Sequence, residues 1–542
     1  MSPQLELADI QGNVLSAYGR LGFPKGRFLL LNIADADAGR NVIELLRRRV
    51  TTALRWPSDR KPYPAGTIYQ KRPEVTLNLA FTFRGLLALD VPIRTLRGMP
   101  DEFIDGMAAR ADILCDNFPK AIGKSWDPVW LDEKDPQRRV HVLVTLNTDM
   151  DPATGAPSER LDEVTREIAG LCSATKGGVA LLSGHRGDNP DWQDLSAILA
   201  RQEDGTFTPL PVEHFGFVDA IGDPLFDGQV PPDLVAERVI GQGKLLPDQS
   251  WAPIATGEFL LGYPDESQEI AGAAMPLDFS RNGTFYAYRK LHQNVAGWRR
   301  YLASQADAFA AVMDIPHDHA VPTLMAKFAG RWSDGVPLMV APTFEEWQAV
   351  RRRRETAERT GDKATIAALD RALVDFTFRG DPTGATCPFS SHLRRANTRD
   401  MLDPLFGATD PKRWGGSILN NRRRILRRGL PYGRGPQGED DSGEHGIVML
   451  ACCASLFRQF EFVQQQWMQY GLDFGSGNDT CPIIGNHGKE AKFVIATDPA
   501  SGKPPFICDS LPQFIETRGG DYFFVPSMTA LRMIASGTID PT

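Results

Sequence analysis

The chain lacks the cysteine spacing of a zinc site. Its seven cysteines, Cys115, Cys172, Cys387, Cys452, Cys453, Cys481 and Cys508, include no C-x-x-C pair. Their odd number does not suit a disulfide framework either, and it fits reduced thiols in a cytoplasm. Long apolar runs are also missing. The longest, GIVMLACCASLF at 446–457, is shorter than the roughly 20 residues that cross a bilayer. The opening MSPQLELADIQGNVL has no basic segment followed by an apolar stretch, so no secretory signal is expected. Positive charge is not in excess, since the net charge is −8, which argues against nucleic acid as a partner. H-E-x-x-H and G-x-x-x-x-G-K-[S/T] do not occur, which removes the common zinc-protease and P-loop readings. Nor is there a nucleophile elbow. Together these absences predict a cytoplasmic protein that neither spans a membrane nor binds nucleic acid.

What is present is ordinary globular material. Hydrophobic residues make up 42% and charged residues 24% of 542, enough for a large core in two or more domains or one two-lobed unit. Strand-like runs occur at 27–33 (RFLLLNI), 75–85 (VTLNLAFTFRG), 140–147 (VHVLVTLN) and 258–263 (EFLLGY). Helix-like runs occur at 41–54, 160–172 and 455–470. They are interspersed without the regular alternation of a doubly wound sheet, which predicts an α+β fold. The stretch GQGKLLPDQSWAPIATG (241–257) reads as a join, giving domains at 1–245 and 246–542. The polar, Gly-rich 433–446 reads as a mobile loop. Residues 344–376 read as an inserted pair of helices around a Thr-Gly turn, with the arginines at 351–354 on a solvated face.

Only nine histidines occur. His317 and His319 are two apart, but prolines flank them and no third metal ligand is evident. His392 is different. In CPFSSHLRRANTRD (387–400) it stands just before Arg394, Arg395 and Arg399, a setting suited to a metal inside a large anionic cofactor. Two other stretches bear on it. EHFGFVDAIGDP (213–224) places Asp219 in an otherwise apolar run, where an acid could also be a helix cap. NNRRRILRRGLPYG (420–433) delivers arginines into a turn.

Together these three stretches resemble the dye-decolourising peroxidase family, and the resemblance extends along most of the chain. DIQGNVL (9–15) is similar to the family's N-terminal signature, and GFVDAIGDP to its Gly-x-x-Asp-Gly motif, with Ala220 where the motif has glycine. GEFLLGYPDE (257–266), NGTFYAYRKLHQNV (282–295), AKFAGRWSDGVPL (326–338), RRILRRGLPYG and RQFEFVQQQW (458–467) resemble stretches of its longer members. The resemblance implies two ferredoxin-like halves, each an antiparallel sheet with helices. It implies a haem b pocket in the C-terminal half, one haem per chain, with the Asp219 loop reaching over from near the join.

By position, His392 would be the proximal ligand of the haem iron, and Asp219 and Arg427 the distal pair. A haem-bound histidine usually donates its other ring nitrogen to an acid that raises its basicity. Glu461 is the candidate, the alternative being a helix-packing carboxylate. Haem propionates suit guanidinium forks. Arg395 is favoured, with Arg394 and Arg399 as alternatives, and Arg422, Arg423, Arg424 and Arg428 are read as solvent-facing or propionate-side. On the distal side a carboxylate can shuttle the peroxide proton, and an arginine can stabilise charge on the departing oxygen. The implied activity is a peroxidase that reduces hydrogen peroxide and oxidises bulky aromatic dyes or phenolics in one-electron steps. A haem-binding or haem-handling protein with little turnover is the alternative. The oligomeric state is left open, a homodimer among the options.

Overall fold

The computed structural model describes residues 4–57, 68–116, 125–131, 135–435 and 440–539. Its centre is a nine-stranded sheet. In chain order the strands are β1 (Lys25–Ile33), β2 (Val75–Phe81), β3 (Val142–Thr148), β4 (Val179–Leu181), β5 (Gln193–Ser196), β6 (Thr284–Gln293), β7 (Leu426–Gly433), β8 (His445–Cys453) and β9 (Ile515–Val525). Their order across the sheet is β7-β8-β6-β9-β2-β3-β1-β4, with β5 also on β1. Every pairing is antiparallel. Strands from the first part of the chain thus form one half of the sheet and strands from the last part the other. This is the α+β, two-halved architecture that the resemblance implied.

The two halves meet along a short seam, where β9 pairs with β2 only at Phe524 and Phe81. Side chains reinforce it. The Gln11 amide donates to the carbonyls of Leu79 and of Pro526, both at 2.8 Å, and its oxygen accepts from Leu79 N at 2.9 Å. Gln11 therefore ties a residue of β2 to the residue that follows β9. Its neighbour Gly12 is needed for close approach, because a Cβ there would lie 2.2 Å from the Tyr18 hydroxyl and 2.6 Å from the Thr52 carbonyl. One continuous core, from Phe28 and Leu79 to Phe285 and Phe524, runs through both halves.

Helices cover the sheet. α1 (Ala36–Arg47), α2 (Glu159–Ala174) and α8 (Met528–Ser536) belong with the sheet core. A second core gathers α3 (Val295–Met313), α4 (His317–Ala329) and the C-terminal segment 474–515. The charged stretch at 344–376 forms α5 (Phe344–Thr360) and α6 (Lys363–Val374), separated by Gly361 at φ 69°. Thr343 and Glu346 close a capping box at the start of α5. The polar loop at 433–446 falls partly outside the described residues, while its ends belong to β7 and β8.

Two sequence expectations differ from the structure. EFLLGY at 258–263 is a buried turn, not a strand. Phe259, Leu260 and Leu261 are buried, and side chains satisfy the backbone instead of a ladder. Thr284 Oγ1 donates to Phe259 O at 2.7 Å, and Gln459 Nε2 to Glu258 O at 2.8 Å. The run at 455–470 is helical, but it is wound as π-helix over Leu456–Glu461 and Val463–Met468.

A buried histidine makes the fold sensitive to acid. His141 Nδ1 accepts the Ile33 amide at 2.9 Å, and burial, then Arg139, lowers its pKa to about 4. In the unfolded chain a histidine titrates near 6.5. Below that pH the unfolded state takes up a proton that the folded state refuses. The contribution is therefore complete above pH 6.5 and is lost as the pH falls toward 4, on the order of 3 kcal/mol in all. His141→Gln should be less stable than wild type at pH 7 and should lose less stability between pH 6.5 and 4. Denaturant midpoints across that range measure both, and parallel curves for the two proteins would remove His141 as the cause.

Candidate active site

The site is assembled from a loop and a strand that lie far apart in sequence. The loop is residues 213–224. Glu213 folds its start by accepting the amides of Phe215 at 2.8 Å and Phe217 at 2.9 Å, and Gln293 Nε2 donates to the same carboxylate. Asp223 anchors its end. It accepts the Arg427 amide at 3.0 Å and the Arg428 guanidinium at 2.5 Å. Arg427 and Arg428 are neighbours on β7, but their side chains do different work. Arg428 is buried and donates to the carbonyls of Asn13 at 2.6 Å and Val14 at 2.8 Å, which fixes the N-terminal signature. Arg427 instead reaches the loop, with Nη2 at 3.0 Å from Asp219 Oδ2 and 2.9 Å from Gly222 O.

Asp219 and Arg427 both border a cavity of about 960 Å³. Their side chains keep 36% and 40% exposure, so the pair is paired but still open to a small molecule. Asp219 raises the pKa of Arg427 further. Ala220 is accommodated where the family motif has glycine. It does not occupy the left-handed region, and Gly335, at φ 94°, faces it. A Cβ on Gly335 would lie 2.4 Å from the Ala220 methyl.

His392 begins a short helix, α7 (His392–Ala396), and lines the same cavity. Its Nδ1 lies 3.3 Å from Cys481 Sγ, and its Nε2 has no hydrogen bond among the described residues. Burial, followed by Arg331, Arg427 and Arg395, lowers its pKa to about 4. The imidazole is therefore neutral, as a metal donor must be.

Two predicted site residues are placed elsewhere. Glu461 does not meet His392. It receives Arg110 Nε at 2.5 Å, Arg110 Nη2 at 2.7 Å and the Tyr522 hydroxyl at 2.8 Å, and it is almost fully buried. The π-winding of its segment turns it to that side. Arg395 does not reach the cavity either. Its guanidinium donates to the carbonyls of Trp467, Tyr470 and Asp479 and to Ser390 Oγ, at 2.8–3.1 Å. The two alternatives are also engaged. Arg394 binds Asp381 and the Cys387 carbonyl, and Arg399 binds the carbonyls of Phe376 and Gly241. The arginines behind His392 are clamps on buried backbone.

The cavity's cations come from other positions. Arg331, from the stretch AKFAGRWSDGVPL, and Arg424, from the basic run before β7, both line it. Neither guanidinium has a hydrogen bond among the described residues, and burial lowers the pKa of both, that of Arg424 to about 10. Arg331 went unnoticed in the sequence because a lone arginine carries no spacing signal. Elsewhere, His317 pairs with Asp307 at the surface and His319 stacks on Phe344. Among the described residues no three His, Cys, Asp or Glu side chains gather as a metal site.

No family model matches the chain. Curated relatives do. It is 26% identical to "Peroxidase 2" of Mycetinis scorodonius over 97% of this chain and 87% of that one. To the dye-decolorizing peroxidase msp1 of the same organism it is 25% identical over 99% and 88%. The chain is thus similar to dye-decolorizing peroxidases over nearly its whole length. Solved structures share the fold. A fungal DyP-type peroxidase from Auricularia auricula-judae superposes with TM-score 0.68 at 21% identity, covering 98% of this chain and 100% of that one. A dye-decolorizing peroxidase in complex with 2,6-dimethoxyphenol gives 0.69 at 23%, with the same coverage.

The cavity residues fit a haem. One neutral imidazole with a free Nε2 matches a cofactor that brings its own four nitrogens and needs a single axial donor. Two unpaired guanidiniums match its two carboxylates. Leu393, Phe460, Val463, Ile483 and Ile484 supply apolar wall.

Glu461 is thereby read as a packing carboxylate. Glu461→Gln leaves the partly buried Arg110 with a weaker partner beside Asp105. A hydrogen bond to a charged group contributes about 1.5–3 kcal/mol. Chemical denaturation should show a loss of that order, with the absorption spectrum of the haem-loaded protein unchanged. A stable variant with an altered spectrum would return Glu461 to the proximal side.

Proposed function

We propose that this chain is a haem peroxidase that reduces hydrogen peroxide and oxidises bulky aromatic donors. The observation that carries the reading is the Asp219–Arg427 pair at 3.0 Å on the wall of a cavity that also receives His392. Haem bound there would supply an iron that accepts the oxidising equivalents of peroxide and passes them on one electron at a time. His392 would hold it through Nε2, and Arg331 and Arg424 would hold its carboxylates.

The residues around it then have distinct tasks. Asp219 accepts a proton from one oxygen of hydrogen peroxide and returns it to the other as that oxygen departs. Arg427 donates from its guanidinium to the negative charge that develops there. Because Arg427 also binds Gly222 O, it keeps the loop in place while it does so. Ala220 would favour the haem-handling alternative if it displaced Asp219, but Gly335 gives it room and Asp219 meets Arg427 at 3.0 Å.

The donor class is supported by the relatives' names and by a structural neighbour captured with 2,6-dimethoxyphenol. We place the protein in the cytoplasm. All seven cysteines are unpaired, and no described helix is long and apolar enough to cross a membrane.

Rapid mixing of haem-loaded protein with hydrogen peroxide tests the distal roles. Losing one preorganised donor typically costs about 2.7–4 kcal/mol. Arg427→Leu should therefore keep its haem and react roughly a hundredfold or more slowly. An unchanged rate would shift the role away from Arg427. Carboxylic acids ionise about 2.6 pH units below imidazoles, so dye oxidation should peak in mild acid. Asp219→Asn should abolish the fast reaction with peroxide throughout that range, and equal rates in the variant would make Asp219 a structural acid.

The cationic wall has its own signature. Arg331→Leu and Arg424→Leu should each weaken haem uptake in equilibrium titration. Their peroxide rates per bound haem should fall far less than that of Arg427→Leu. Undiminished affinity in both variants would place the carboxylates elsewhere.

A further inference from the structure

The assignment of His392 leaves its second ring nitrogen to be explained. No carboxylate bonds to it among the described residues. What lies there is a sulfur, with Cys481 Sγ at 3.3 Å from Nδ1. We propose that Cys481 is the positioning residue for His392, a thiol standing where a proximal histidine ordinarily meets an acid. The proposal rests on the haem reading above.

The contact is built and does not come from chance packing of a core cysteine. Cys481 is fully buried. Its sulfur is held against His392 by the turn that follows it. Each neighbouring part of its turn is fixed. Cys481 N donates to Met468 O at 2.7 Å, and Gly485 N to Cys481 O at 2.9 Å. His487 Nε2 lies 3.0 Å from the same carbonyl, and its Nδ1 lies 2.6 Å from Pro512 O. Arg395 closes the frame. It grips Trp467 O and Tyr470 O on one side and Asp479 O on the other. The arginine beside His392 on α7 therefore holds the segment that presents the sulfur to His392.

Among the described residues none of the nearby acids bonds to His392. Glu461 is bound by Arg110 and Tyr522. Asp473 Oδ2 accepts Trp467 Nε1 at 3.1 Å. Asp479, two residues before Cys481, feels Lys492 and Arg395.

The chemical consequence follows from the acceptor. A carboxylate draws strongly on the Nδ1 proton and makes the imidazole a more basic donor. A thiol sulfur is a weak acceptor, so it orients the ring without that increase. Nε2 then stabilises ferric iron less, and the ferric/ferrous midpoint potential is higher than a carboxylate partner would set.

The test uses haem-loaded wild type, Cys481→Ser and Cys481→Asp. Two quantities are read: the midpoint potential by spectroelectrochemical titration, and the ferrous iron–histidine stretch by resonance Raman scattering. Wild type should show the stretch of a histidine without a carboxylate partner. Cys481→Asp should lower the potential and raise the stretch, and Cys481→Ser should stay near wild type. A wild-type stretch already in the carboxylate-partnered range would overturn the proposal, as would no shift of either quantity in Cys481→Asp. If the buried aspartate prevents folding, the wild-type and Cys481→Ser bands decide alone. Failure of wild type to take up haem would overturn the haem reading itself, and the proposal with it. Haem uptake with the wrong band would overturn only the role of Cys481.

Discussion

Asp223 is the joint on which the site depends. One carboxylate oxygen takes the backbone amide of Arg427 and the other takes the guanidinium of Arg428. That fastens the 213–224 loop to β7 and fixes where Asp219 meets Arg427, 208 residues away in the chain. Arg428 extends the joint to Asn13 and Val14, in the same segment where Gln11 closes the seam between the sheet halves. A shift of one residue in the pairing of β7 with β8 would exchange Arg427 and Arg428 between loop and core. The geometry of the Asp219–Arg427 pair and the register of an outer strand are thus one constraint.

Electrostatics gives the cavity its character. It collects Arg331, Arg424 and Arg427 around a neutral histidine, and of these three only Arg427 has a hydrogen-bonded carboxylate among the described residues. Unpaired buried cations are costly. Arg331 and Arg424 are partly buried, and an anionic cofactor bound between them would offset part of the cost of desolvating them. Burial first, and then the charges of Arg331, Arg427 and Arg395, keep His392 neutral.

Legibility in the sequence followed residue chemistry. His392, Asp219 and Arg427 could be named because each is an unusual type for its surroundings and lies in a stretch that resembles the family. The α+β class followed from interspersed strand and helix runs. Arg395 was misjudged because arginine types alone do not distinguish a fork that binds an anion from one that binds buried carbonyls. Glu461 was misjudged because the face it presents depends on helical winding, and the π-turns of 456–468 are not visible as a period in the sequence. EFLLGY looked like a strand because side chains from Thr284 and Gln459, distant in sequence, satisfy its backbone. Cys481 carries no signal in the sequence, since nothing local records that its turn is aimed at His392.

The central claim is that His392 Nε2 is the single protein donor to haem iron in this cavity. The most direct measurement is an optical titration of purified protein with haem, run side by side on wild type and His392→Ala and followed by addition of imidazole. The account predicts one haem per chain in wild type, with the spectrum of a histidine-ligated iron. It predicts loss of that spectrum in the variant and its recovery when imidazole fills the vacated space. An unchanged spectrum and affinity in His392→Ala would contradict it.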